Sequence, residues 1–296
     1  MRKILFYNKN YSSDFDNYSN CNINSNLIEG TQNFCHDISK NCNGFKSSYF
    51  ENLFLLESKS FWFIGRNNLI INMLKKYRPN FKSFFEIGCG TGFVLSGVSV
   101  VFKTAKFFGS EIFIEGLNFA SKRTPHAHFM QMDARTIPFK EEFEVIAAFD
   151  VLEHIEEDER VLNEISKALK PDGLLLITVP QHKWLWSHSD DYACHVRRYN
   201  KKDLHSKIER NGFKIIKSTS FVSLLLPMML ISRFLQKSKE YSKYNPNEEL
   251  NLPKFLNKFL LMVMLIEIYI IKIGFDFPIG GSRLVVAKKE LQKDKL

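Results

Sequence analysis

The stretch EIGCGTG, Glu86 to Gly92, decides how this chain folds. It closes an apolar run, SFFEIGC, that reads as a strand, and it leads into GFVLSGVSVVF, which reads as a helix. Glycines at 88, 90 and 92 let the backbone turn tightly and bring it close to a ligand at the helix start. A pyrophosphate-binding turn has the spacing G-x-G-x-x-G. Here the spacing is G-x-G-x-G, with a carboxylate, Glu86, two residues ahead of the first glycine. That carboxylate would repel a pyrophosphate. It suits a ligand carrying an ammonium group and a sulfonium.

Outward from the turn, strands and helices alternate. KFFGSEI, HFMQMDA, FEVIAAFD and GLLLITVP read as strands; IEGLNFASKR and EEDERVLNEISKAL read as helices, the second stopped at Lys170-Pro171-Asp172-Gly173. Near-continuous apolar strands in such an alternation predict a parallel sheet covered on both faces. Ahead of the turn, Tyr49 to Tyr77 carries apolar residues at three- and four-residue steps, which predicts one or two helices. Glu86, Glu111, Asp133 and Asp150 all fall at or near predicted strand C-termini, the edge where open α/β sheets bind ligands. An acid at the second strand tip can accept from both hydroxyls of a ribose, and one at the third can accept from an adenine amine.

EIGCGTG, GSEI, QMDARTIPF, FDVLEHI and LKPDGLLLITVP together resemble the successive motifs of class I S-adenosylmethionine-dependent methyltransferases, of the ubiquinone-biosynthesis, type 11 kind. The resemblance covers roughly residues 84–180. It implies a Rossmann-like α/β fold with a seven-stranded, mostly parallel sheet and an antiparallel last strand, completed by FKIIKSTSF and SRLVVAKK. It implies S-adenosyl-L-methionine as cofactor. Gly88, Gly90 and Gly92 would cradle its methionine end, Glu111 would hold the ribose, Asp133 with Ala134 the adenine, and Asp150 would lie near the methionine moiety.

Methyl transfer needs a positioned nucleophile, and a general base only where the acceptor must lose a proton. His154, just after the fourth strand, is one candidate base. The segment SHSDDYACHVRRYN, Ser187 to Asn200, follows the fifth strand and adds His188 and His195. Arg197 and Arg198 beside Tyr199 are candidates to clamp a phosphate or carboxylate of the acceptor. The alternative is that these charges pair among themselves, for instance Asp191 with Arg198. A metal site would need His182, His188, Asp190 or Asp191, Cys194 and His195 to converge; their spacing matches no standard ligand pattern, so no metal is expected. Cys194 as nucleophile is unnecessary for this chemistry. Trp184 and Trp186, with Phe61, Trp62, Phe63 and Arg66, are candidates for an aromatic lid.

The 296 residues suffice for one sizeable domain plus an accessory segment, and 28 phenylalanines predict an aromatic-rich core. Five cysteines with no CxxC pair argue against a disulfide framework or a zinc ribbon. With no signal peptide read at the N-terminus, a cytoplasmic setting is expected. Residues 1–47, rich in Asn and Ser, read as a polar low-complexity segment. Residues 48–221 and 281–290 form the expected methyltransferase domain. Residues 222–280 form an apolar helical insert before the last strand, containing FVSLLLPMMLISRFL and FLLMVMLIEIYIIKIGF. Pro227, Glu267 and Lys272 break these runs below the length of a membrane span. They fit packed helices that wall an acceptor pocket or form a homodimer interface, or else a peripheral contact with a membrane surface. From Arg197 onward there are 20 Lys and Arg against 9 Asp and Glu, which suggests an anionic partner on that side. The acceptor expected is a small or lipid-like molecule with an anionic part. No nucleic-acid recognition module is visible, so nucleic acid is disfavoured. A nucleic-acid or protein methyltransferase, and a non-catalytic cofactor-binding protein at a membrane, are the alternatives.

Overall fold

The computed structural model describes residues 27–28, 31–32, 49–237 and 251–290. Most of the 1–47 segment lies outside them; Leu27–Ile28 pairs antiparallel with Thr31–Gln32. The core is a seven-stranded sheet. Its strands are β1 (Ser83–Ile87), β2 (Lys106–Glu111), β3 (His128–Gln131), β4 (Phe143–Phe149), β5 (Leu169–Pro180), β6 (Phe213–Phe221) and β7 (Ser282–Lys289). Their spatial order is β3-β2-β1-β4-β5-β7-β6. The first five are parallel, and β7 runs antiparallel between β5 and β6.

The helices are α1 (Tyr49–Leu56), α2 (Phe61–Tyr77), α3 (Phe93–Val101), α4 (Ile114–Arg123), α5 (Asp158–Ala168), α6 (His188–Tyr192), α7 (Lys201–Arg210), α8 (Leu226–Lys237) and α9 (Lys254–Lys272). Strand alternation explains the two-sided burial. Phe84, Val145, Ala147, Leu174 and Leu176 face one apolar cluster with α2, α3, α4 and α9. Phe85, Ile146, Ala148, Leu175 and Ile177 face the other, with α5 and α7. The Lys170–Gly173 stretch is absorbed into β5 as an irregular register rather than left as a separate turn. At α7, Asn200 accepts from the Asp203 backbone N–H at 2.8 Å, as its place before the helix predicts.

Within the 222–280 stretch the described residues include α8 and α9, and α9 packs against α2. A Cβ on Gly65 would run into the Met264 side chain, so the glycine lets the two axes come close. Leu260, Met264, Ile268 and Ile271 line the inner stripe of α9. Glu267, which interrupts the apolar run in the sequence, is fully buried and accepts from the Ser223 and Leu224 backbone N–H groups at 2.7 Å each. Asn257 ties α9 to the start of α2, accepting from Phe61 N–H at 2.9 Å and donating to Lys59 C=O at 2.6 Å. The outer stripe, Phe255, Phe259, Met262, Ile266, Tyr269 and Ile273, is exposed. Among the described residues no helix is long and apolar enough to cross a membrane.

Among the described residues, several basic side chains of the last third are taken up in ion pairs. Lys207 and Arg197 converge on Asp158, Arg210 meets Glu159, Lys288 meets Asp172, and Lys289 meets Glu141. The lopsided charge of the sequence is in good part a set of pairs between distant parts of the chain.

Candidate functional site

The C-terminal edge of β1, β2, β3 and β4 opens into a cavity of about 830 Å³. The glycine turn forms its floor. Gly88 and Gly90 sit at φ +65° and +53°, a region that side chains disfavour, and both line the cavity. Gly92, at φ +72°, precedes α3 but is not among the lining residues. A Cβ there would press on Ala120, so this glycine also lets α3 and α4 pack closely.

The four acids all reach the cavity. Glu86 is buried, and its Oε2 has no hydrogen-bond partner among the described residues. Burial pushes its carboxyl up to about 8, against the pull of the Arg66 charge. Glu111 accepts from the backbone N–H groups of Ile112 (2.8 Å), Phe113 (3.3 Å) and Gly90 (3.0 Å). Burial raises it, and these bonds hold it back. A carboxylate has about four acceptor positions, so the three N–H groups leave Glu111 room for one more strong donor rather than the two ribose hydroxyls expected. Asp133 accepts from the Arg135 guanidinium (2.8 Å) and backbone N–H (2.9 Å). Asp150, left-handed at φ +56°, pairs with Arg66. Arg66 in turn lies 4.4 Å over the Trp62 ring. Ala134 lines the cavity beside Asp133.

The sequence candidates for acceptor chemistry separate. His154 and His195 meet at the cavity wall with ring centroids 4.7 Å apart. Burial, then the nearby His195, lowers His154 to about 3, so it is neutral at physiological pH. His195 Nδ1 lies 2.8 Å from Asp190 Oδ1. Asp190 has no exposed side-chain surface; burial works to raise it, but His195 and a two-toothed bond from Arg198 (2.7 and 3.0 Å) outweigh that and hold it at about 2. His188 turns instead to Asp191, at 3.8 Å, outside the cavity lining.

The anion clamp expected from Arg197, Arg198 and Tyr199 does not face the cavity. Arg198 is spent on Asp190, and Arg197 on Asp158 at 2.7 Å and the Glu156 carbonyl at 3.0 Å. Tyr199 is fully buried and donates to Asp158 at 2.6 Å. The segment does pair internally, but through Asp190 rather than Asp191, which accepts from Trp186 Nε1 at 2.8 Å. The reason is α6, a five-residue helix beginning after Ser187 that turns Asp190 inward and Asp191 outward. The aromatic lid is likewise divided: Trp62 and Phe63 line the cavity, whereas Trp184 is exposed and stacks on His182. Reading the sequence missed Phe50, Tyr192 and Glu153. Glu153 was embedded in the quoted motif FDVLEHI, yet nothing in its spacing shows that it is fully buried.

Does S-adenosylmethionine fit these residues? The unpartnered buried Glu86 Oε2 is an acceptor awaiting a cation or strong donor, which an ammonium supplies. The Gly90 surface is open, since a Cβ there would meet only Phe50 Cε1 at 3.8 Å. Both observations suit the group.

Residues 65–218 match a family model described as a methyltransferase domain, just over half of the chain. The chain therefore belongs to the class I S-adenosylmethionine-dependent methyltransferase family. Over 163 residues it is 24% identical to a probable S-adenosylmethionine-dependent methyltransferase of Mycobacterium tuberculosis, covering 53% of this chain and 57% of that protein. Over 105 residues it is 30% identical to a fatty-acid O-methyltransferase of Mycolicibacterium smegmatis, covering 33% of this chain and 36% of that one. The chain thus spans little more than half the length of the first of these relatives and about a third of the second. Among solved structures, phosphoethanolamine N-methyltransferase 2 of Haemonchus contortus with bound S-adenosyl-L-methionine superposes with a TM-score of 0.51. Its identity is 19%, over 76% of this chain and 53% of that one, a likeness of fold.

Proposed function

We propose that this protein transfers a methyl group from S-adenosylmethionine to a small or lipid-like acceptor with a substantial apolar part. One observation carries the reading. One cavity is lined both by Glu86, Gly88 and Gly90 and by Phe50, Trp62, Phe63, Tyr192, His154 and His195. An apolar acceptor bound in it would share the space with the cofactor. Similarity to a fatty-acid O-methyltransferase over a third of the chain points the same way.

The cofactor supplies an electrophilic sulfonium methyl. The protein's share is placement. Glu86 would take the ammonium, Glu111 the ribose, and Asp133 with Ala134 would border the adenine. Arg66 pairs with Asp150, whose left-handed turn would face the methionine end. The aromatic wall excludes water from the reacting atoms. An acceptor atom held against that carbon would take the methyl group, with the bonding pair left on sulfur. A hydroxyl acceptor loses its proton to His195 Nε2, the ring nitrogen not turned to Asp190. The exposed α9 stripe from Phe255 to Ile273, with Lys254, Lys258 and Lys272 on the same helix, supports contact with an anionic membrane surface from which such an acceptor could be drawn.

The test is titration of S-adenosylmethionine into wild-type and Asp133→Ala protein, followed by methyl transfer from labelled cofactor into lipid and aqueous extract fractions. Saturable binding, weakened by Asp133→Ala, with label appearing in lipid, is expected. Absence of wild-type binding refutes the reading, and label confined to uncharged water-soluble products refutes its acceptor. Sedimentation with anionic vesicles, lost in Phe255→Ser/Ile266→Ser, tests the surface contact.

A further inference from the structure

We infer that Glu153, His154 and His195 form a binding site for a divalent transition-metal cation, of the zinc or manganese type, at the cavity wall where the two histidines meet and with Glu153 buried behind it. The inference rests on the methyltransferase reading and deepens it by adding a group that binds the acceptor.

The donor atoms of these three side chains lie within 4.8 Å of one another. Glu153 has no exposed surface, and neither of its carboxylate oxygens has a hydrogen-bond partner among the described residues. A buried carboxylate with both oxygens unmatched is costly, and a cation is a direct way to satisfy it. Each histidine has one nitrogen already committed. His154 is hydrogen-bonded to the Ala193 backbone. The side chain of His195 meets Asp190 through Nδ1 at 2.8 Å, and the ionised carboxylate only accepts, so Nδ1 donates and Nε2 is the nitrogen left for a ligand. A histidine oriented by a carboxylate on its far nitrogen is the usual support of a metal ligand. Arg198 and the Ser187 backbone N–H (2.8 Å) brace Asp190 in turn.

The backbone brings the parts together. The Val196 N–H donates to the Glu153 carbonyl at 2.8 Å, which lays the segment after α6 alongside the turn after β4. Two imidazoles and one carboxylate are an N/O donor set suited to zinc, manganese, iron or cobalt in their divalent states. Three protein ligands leave coordination positions open, and His154 and His195 both border the cavity. An acceptor oxygen entering such a position would be polarised by the cation, so a hydroxyl would release its proton to solvent more readily and attack the methyl carbon as the oxyanion. With a cation bound, His195 Nε2 is a ligand, and the proton no longer passes to it.

The experiment uses the full chain, stripped with chelator and titrated with Co²⁺ alone, followed by absorption spectroscopy and calorimetry, with Zn²⁺ as competitor. Wild-type protein is expected to bind one equivalent, displaced by Zn²⁺. Glu153→Gln and His195→Ala are expected to lose that equivalent. Asp190→Asn is expected to weaken it about 10–100-fold through the orientation of His195. S-adenosylmethionine binding and the melting profile of Glu153→Gln, measured in parallel, separate loss of the site from loss of the fold. Wild-type protein that binds no cobalt, or variants that bind as well as wild type, overturn the inference while leaving the cofactor reading standing. Failure of cofactor binding with metal binding intact overturns the methyltransferase reading alone.

Discussion

With Glu86 as the proposed partner of the ammonium, cofactor binding depends on pH in a definite direction. The Glu86 carboxyl is held at about 8 in the ligand-free cavity, against an ordinary value of 4.5, because it is buried with one oxygen unpartnered. At pH 7 only about a tenth of the protein carries this group ionised, and ionising the rest costs about 1.4 kcal/mol. An ammonium at Glu86 requires the ionised form, so binding must release a proton. Between pH 5.5 and 7 an α-amino group stays protonated, and the affinity for S-adenosylmethionine should rise about tenfold per pH unit. Calorimetric titrations in two buffers of different ionisation enthalpy should register close to one proton released at pH 6.5. Glu86→Gln should flatten the slope and weaken binding at pH 7.5 by about 10–100-fold, the worth of a charge-assisted bond. The folded state holds this proton up to about pH 8 and the unfolded state only to about 4.5. Its contribution to stability is therefore complete below pH 4.5 and is lost as pH climbs through 8. A wild-type affinity that stays flat from pH 5.5 to 7, or a slope that survives in Glu86→Gln, refutes the reasoning.

Three further substitutions test the architecture. Tyr199→Phe removes a buried hydroxyl 2.6 Å from Asp158 and should cost about 1.5–3 kcal/mol, seen as a lower melting temperature with unchanged cofactor affinity; an unaltered melt would place the tyrosine elsewhere. Glu267→Gln leaves a buried amide where a carboxylate holds two backbone N–H groups, and should destabilise the protein by about 1–3 kcal/mol in urea unfolding. Gly65→Val forces α9 away from α2 and should cost about 1–3 kcal/mol in the same assay, partly recovered by Met264→Ala, since the two substitutions share one contact.

The sheet was legible from local chemistry. Apolar runs such as FEVIAAF and LLLITV are the residues that a strand covered on both faces requires, and glycines at 88 and 90 do occupy left-handed backbone. The family motifs marked four acids, and all four line one cavity. What the sequence withheld is partner choice. Arg197 and Arg198 have the right chemistry for an anionic acceptor, but whether an arginine meets a ligand or Asp158 is settled by tertiary contacts across dozens of residues. A five-residue helix has too little periodicity to read, and α6 is what exchanges the roles of Asp190 and Asp191. Gly92 shows the same limit: its spacing matches the cradle, and only the fold shows that it also packs against Ala120.

The place of β7 between β5 and β6 has a consequence for how the molecule comes into being. β5 and β6 precede it in the chain, and they bond to β7 rather than to each other. A chain growing from its N-terminus leaves β5 an open sheet edge and β6 without a strand partner until Ser282–Lys289 has emerged. Closure of the sheet is thus a late, long-range event, with the apolar α8 and α9 already made and awaiting their seats. Nascent or truncated chains ending before residue 282 should be the aggregation-prone species, and the last strand the one that commits the fold.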